Sequence, residues 1–158
     1  MDTASHVGLQ HFTDQHIDAL NRFELPEEQG QFTSLPEKVL GVTEGQYRIV
    51  ITSDSVPVGF FLLHATQRVK EYTDNPNAML LTSFSINFAE QGKGFAKKGL
   101  LLLPDFVHAE FPDCDEIALA VNHKNVPAQK LYLHTGFTDT GLRRMGAIGE
   151  QFIFRLAL

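Results

Sequence analysis

The stretch Gln91-Gly92-Lys93-Gly94-Phe95-Ala96 has residue types that could bind an anion. It lies between an apolar run, residues 79–87, and a segment of helical character, residues 94–111. Glycines there let the backbone turn sharply with no side chain in the way. The first N–H groups of the following helix would point outward unpaired, and the helix dipole favours negative charge in front of them. Successive backbone donors of this kind make a concavity suited to phosphate. Lys93, Lys97 and Lys98 add screened positive charge. The loop is not of the GxxxxGK[ST] type, and no further glycine completes a dinucleotide fingerprint. Residue types alone therefore leave two readings, a phosphate cradle or a glycine-rich turn ahead of a core helix.

A second constellation is Asn122-His123-Lys124-Asn125-Val126-Pro127-Ala128-Gln129-Lys130-Leu131-Tyr132, followed by Gly136-Phe137. Residues 125–135 read as a helix, with Pro127 in its first turn and Gly136 just past its end. Ala128, Leu131, Tyr132 and Thr135 share one face of it. Tyr132 could pack that face against a sheet, or could offer a phenol that stays protonated at neutral pH. Cys114 sits in the acidic turn Phe111-Pro112-Asp113-Cys114-Asp115-Glu116, which raises a thiol pKa and makes a poor nucleophile. The seven histidines show neither HExxH nor Cys/His ligand spacing, so no metal is expected.

The elements needed to position these groups alternate along the chain. Residues 7–12 read as a strand, with Thr13 or Asp14 capping a helix to about Arg22. Pro26 and Pro36 bracket a short helical piece, residues 27–35. Strands are expected at 46–52, 58–66, 79–87, 117–121, 137–140 and 151–156. Pro104 predicts a kink or break within 94–111, because it removes a donor and clashes with the preceding turn. Strand 79–87, helix 94–111 and strand 117–121 make one βαβ unit, whose right-handed crossover leaves the two strands parallel.

In this order and context the two motifs resemble the GNAT N-acetyltransferase superfamily, most clearly over residues 79–140. The resemblance implies one domain, residues 1–158, with the α/β acyl-CoA N-acyltransferase fold. That fold has a mixed central sheet of six to seven strands, about four flanking helices, and parallel, splayed fourth and fifth strands. It implies acetyl-CoA as cosubstrate, with Gln91, Gly92, Lys93, Gly94, Phe95 and Ala96 at the pyrophosphate. Phe84, Ser85 and Ile86 would face the pantetheine arm, and Asn125 would contact the cofactor. Tyr132 would be the general acid of a direct transfer to a primary amine. Glu28-Gln29-Gly30-Gln31-Phe32 with Ser34-Leu35, and Val58-Gly59-Phe60-Phe61, are similar to bacterial polyamine acetyltransferases. Asn122 reads better as holding its loop through an Asx turn. No base is marked: the fourth strand offers Thr82, Ser83 and Ser85 where many relatives have an acid. Glu24, Asp54, His64 and His123 remain as contributors.

The chain has 158 residues, 43% apolar and 20% charged, and a formal net charge of −6. This is ordinary globular composition, and the acidic balance argues against a nucleic-acid partner. Residues 1–50 hold eight acids and three bases, which suits a cationic acceptor or simply a solvated face. Cys114 is the lone cysteine, so neither an intrachain disulfide nor a CxxC site can form. No apolar run is long enough to span a bilayer, and the first residues do not read as a signal peptide. A cytoplasmic enzyme without membrane attachment is the expectation. A peptide or protein acceptor and a non-catalytic coenzyme A-binding module are the alternatives. Members of the resembling family often dimerise, and no residue pattern here marks an interface.

Overall fold

In the computed structural model, which describes residues 6–158, apolar residues alternate along three adjacent strands. These are β2 (Gln46–Ser53), β3 (Val56–His64) and β4 (Ala78–Ile86). Ile49, Ile51, Phe61, Leu63, Met79 and Leu81 point to one face, and Val50, Phe60, Leu62 and Leu80 to the other. A strand presents successive side chains to opposite faces, so a sheet buried on both sides needs both sets apolar. Each fully buried Leu or Phe contributes about 1.5–3 kcal/mol.

The strands β1 (Val7–His11), β5 (Glu116–Asn122), β6 (Thr138–Gly146) and β7 (Gly149–Ala157) complete a seven-stranded sheet. Its order is β1-β2-β3-β4-β5-β7-β6, and β4–β5 is the parallel pair. The hairpin β2–β3 turns through Asp54 (φ 50°) and Ser55 (φ 72°), two positive φ values that match the right-handed strand twist.

One face is covered by α3 (Phe95–Leu101), α4 (Leu103–Glu110) and α5 (Val126–His134). The break expected at Pro104 falls at Leu102, and the proline sits in the first turn of α4, where its missing donor costs nothing. That break makes five helices among the described residues rather than four. The opposite face is covered by α1 (Ile17–Asn21) and a 3-10 turn at Gln67–Glu71. The piece expected at 27–35 is helical only as α2 (Glu27–Gly30), since glycine at its end favours release of the helix. The last two strands run longer than the sequence indicated, joined by the two-residue turn Ala147-Ile148.

Candidate active site

The sheet opens where β4 and β5 part. Of nine and seven residues, these strands pair only from Ala78↔Glu116 to Leu80↔Ala118. Beyond Leu80, β4 carries an extra residue against β3, because Phe60 faces Ser85 while Leu62 faces Thr82. Ser83 absorbs that bulge with φ 56°, a conformation uncommon for a residue with a Cβ. The bulge bends β4 away from β5, leaving a cavity of about 730 Å³ between them. Strained backbone of this kind persists only where surrounding structure holds it, and it clusters at functional sites.

The glycine loop forms one rim of the cavity. Gly92 has φ 80° and Gly94, the cap of α3, has φ 84°. A Cβ at either position would meet nothing within 4 Å, so the space in front of the loop is open. The first intrahelical bond runs from Lys98 N–H to the Gly94 carbonyl, which leaves the N–H groups of Phe95, Ala96 and Lys97 without helical partners. A diphosphate fits this cradle. Lys93 is not in the lining; its Nζ pairs with Glu90 Oε2 at 3.0 Å.

The structure brings Phe84, Ser85, Ile86, Gln91, Gly92, Gly94, Phe95, Ala96, Asn125 and Tyr132 to the walls of this single cavity. Ser85 is 4% exposed, and its Oγ has no hydrogen-bond partner among the described residues, an orphaned buried polar group on the cavity wall. Asn125 caps α5 by accepting from Ala128 N–H at 3.4 Å. Asn122 accepts from Lys124 N–H at 2.9 Å, the Asx turn its position suggested. Tyr132 is 8% exposed, with its ring edge-on to Phe84 and Phe137 at 6.2 and 5.5 Å. Burial pushes its phenol well above the usual range, so it stays protonated at any working pH.

None of Glu24, Asp54, His64 and His123 lines the cavity. Asp54 lies in the β2–β3 turn, accepting from His6 N–H. His64, 1% exposed, reaches the cavity wall indirectly: its Nε2 lies 2.6 Å from Thr82 Oγ1, and Thr82 lines the opening. Burial, with Arg68 adding to it, lowers the His64 imidazole to about 4. The folded protein therefore resists a proton that the unfolded chain takes up below about 6.5. Stability is full above pH 6.5 and falls as pH drops toward 4, by about 3 kcal/mol for this residue. His16, also lowered by burial, acts in the same direction. Urea unfolding at pH 7 and pH 4.5 should show this loss, and His64→Asn should flatten the slope. An unchanged slope in the variant would disprove the assignment.

Sequence reasoning pointed to the acidic first third of the chain for the acceptor, without saying which of its residues form the second wall. Leu25, Glu28, Gln29, Phe32 and Thr33 face the cavity from an arm that includes α2. Asn87 Oδ1 accepts from Glu24 N–H at 2.9 Å, and Glu24 O accepts from Phe88 N–H at 2.9 Å. These contacts span more than sixty residues, and no local pattern announces them. Thr33 Oγ1 is a second buried hydroxyl without a partner. Arg143 and Arg144 have structural partners: Arg143 pairs with Asp139 at 2.8 Å, and Arg144 stacks on Tyr72. Among the described residues no three His, Cys, Asp or Glu side chains gather as a metal site would require. No helix there is long and apolar enough to cross a membrane.

Comparison with known proteins agrees with this geometry. The profile of the acetyltransferase (GNAT) family matches residues 13–137. An uncharacterized N-acetyltransferase, YbbJ, of Bacillus subtilis (strain 168) is 47% identical over 151 residues, covering 93% of this chain and 94% of that one. Among solved structures, aminoglycoside acetyltransferase AAC(6')-Ib with coenzyme A superposes with a TM-score of 0.72 at 18% identity, covering 96% and 95% of the two chains. A spermidine N-acetyltransferase chimera of SpeG from Vibrio cholerae and hSSAT gives 0.64 at 21% identity, covering 96% and 95%. These distant likenesses show a shared fold. The chain belongs to the acetyltransferase (GNAT) family, and it is an acetyl-CoA-dependent enzyme that acetylates an amine.

Proposed function

We propose that this enzyme acetylates a small cationic amine of diamine or polyamine type by direct transfer. The observation that carries the reading is a carboxylate on the arm; the lysines of the lining, Lys97 on α3 and Lys124 just ahead of α5, stand on the cofactor side. Two carboxylates face the cavity, and Glu90 is already paired with Lys93. Glu28, on the arm, pairs with no cation among the described residues. One such carboxylate suits an acceptor that carries an ammonium beyond the reacting nitrogen.

Acetyl-CoA supplies the activated acetyl group when bound. Gly92, Gly94, Phe95 and Ala96 would hold its pyrophosphate through backbone donors, with Lys97 on the cavity wall adding charge nearby. Phe84, Ser85 and Ile86 would hold the pantetheine arm along the opened edge of β4, and Asn125 would contact the cofactor from α5. Tyr132 donates a proton to the departing sulfur. Cys114 is 6% exposed with its Sγ turned to the Glu116 carbonyl, and burial raises its thiol, which fits transfer without an acetyl-enzyme.

The test is acetyl-CoA-dependent thiol release against spermidine, short diamines, aminoglycosides, amino acids and short peptides. Diamines and spermidine should turn over fastest, and Glu28→Gln should raise their KM about fivefold, as a partly exposed ion pair of about 1 kcal/mol implies. Preference for peptides would replace this reading with a protein acetyltransferase. Silence across the panel, with acetyl-CoA still bound, would overturn the diamine or polyamine reading and place the acceptor outside these classes.

A further inference from the structure

Gln91 opens the glycine motif, a position that invites a reading as a phosphate ligand. Its carboxamide is committed elsewhere. Gln91 Nε2 donates to the Ile86 carbonyl at 2.9 Å and to Gln29 Oε1 at 2.8 Å, which uses both of its hydrogens. Gln91 Oε1 accepts from Gln29 Nε2 at 3.1 Å. The Ile86 carbonyl can only accept, so it settles which atom of the Gln91 amide is nitrogen, and the reciprocal bonds then settle Gln29.

Three parts of the cavity meet at this amide pair. Ile86 ends β4 just past the bulge, Gln91 starts the glycine loop, and Gln29 stands on α2 beside Glu28. The helix α2 is four residues long and too short to hold its place by its own hydrogen bonds. The pair is half-buried, where exchange with water is restricted.

We propose that Gln29 and Gln91 form a latch that couples the cofactor loop to the acceptor wall, both acting as positioning residues. With the latch closed, the Gly92–Gly94 turn and the end of β4 are held ready for the cofactor, so binding does not have to order them. The same bonds fix the arm that carries Glu28. Coupling of this kind is reciprocal, so whatever steadies one half steadies the other. The inference rests on the glycine loop being the acetyl-CoA site.

The test is calorimetric titration of the full chain with acetyl-CoA alone, without any acceptor. Gln29→Leu should weaken binding about fivefold, the loss of about one net hydrogen bond, and Gln91→Leu, which also frees the Ile86 carbonyl, at least as much. The double variant should be no weaker than Gln91→Leu alone, because the two side chains act as a unit. Gln29→Met, neutral and of similar length but without a donor, should bind like Gln29→Leu, and matched thermal melts of the variants guard against a folding artefact. Wild-type affinity in Gln29→Leu, or losses that multiply in the double variant, would overturn the latch. No binding by the wild type would instead remove the acetyl-CoA site and the latch with it.

Discussion

Tyr132→Phe is expected to lower turnover at least about a hundredfold, the contribution of a positioned general acid. Acetyl-CoA affinity should stay within about twofold of wild type. The phenylalanine ring keeps the edge-on contacts with Phe84 and Phe137, and nothing but the hydroxyl is lost from the wall. That hydroxyl does not donate its proton downhill. A phenol near 10 is a weaker acid than a thiol near 8.5, so the transfer costs about 2 kcal/mol. Burial raises the phenol further, but the departing thiolate would be an anion in the same apolar surroundings and is penalised in the same sense. Without the phenol the sulfur must leave as that anion, which is the larger cost. Steady-state thiol release with matched calorimetry reads both quantities. Full turnover in the variant would rule Tyr132 out as the acid.

Gly94→Val should weaken acetyl-CoA binding at least about fiftyfold while the protein remains folded. The backbone at Gly94 has φ 84°, where a β-branched residue pays about 1–2 kcal/mol. No atom lies within 4 Å of a Cβ placed there, so the core is not disturbed and the melting temperature should fall only modestly. Binding suffers twice over. Relaxation to negative φ would turn the donors at the start of α3, and the valine methyls would stand in the open space before the loop. Calorimetry with acetyl-CoA, with a thermal melt as control, separates these effects. Unchanged affinity would remove the phosphate-loop assignment.

Much of this molecule was legible in its residues because the relevant signals are local. Pro104 marks the break between α3 and α4, and Pro127 and Gly136 bracket α5. The glycines of 91–96 stand where a strand gives way to a helix, and Tyr132 lies on the buried face of α5. The mixed sheet with β4 parallel to β5 follows from the βαβ order and the handedness of its crossover. Short apolar runs bounded by turn residues, together with helix stop signals, carry this information within about ten residues.

What sequence alone could not supply depends on residues far apart in the chain. The bulge at Ser83 exists because β4 must register with β3 on one side and leave β5 on the other, and Ser83 has no composition that demands φ 56°. The pairing of His64 with Thr82, eighteen residues apart, turns a plausible base into a buried neutral partner of the cavity wall. Glu28 comes to face the cavity only once the arm folds over β4. Gln29 and Gln91 meet across sixty-two residues, and their reciprocal bonds decide what Gln91 can donate to. Periodicity determines which face a residue shows, whereas its partner on that face is decided when the sheet is assembled.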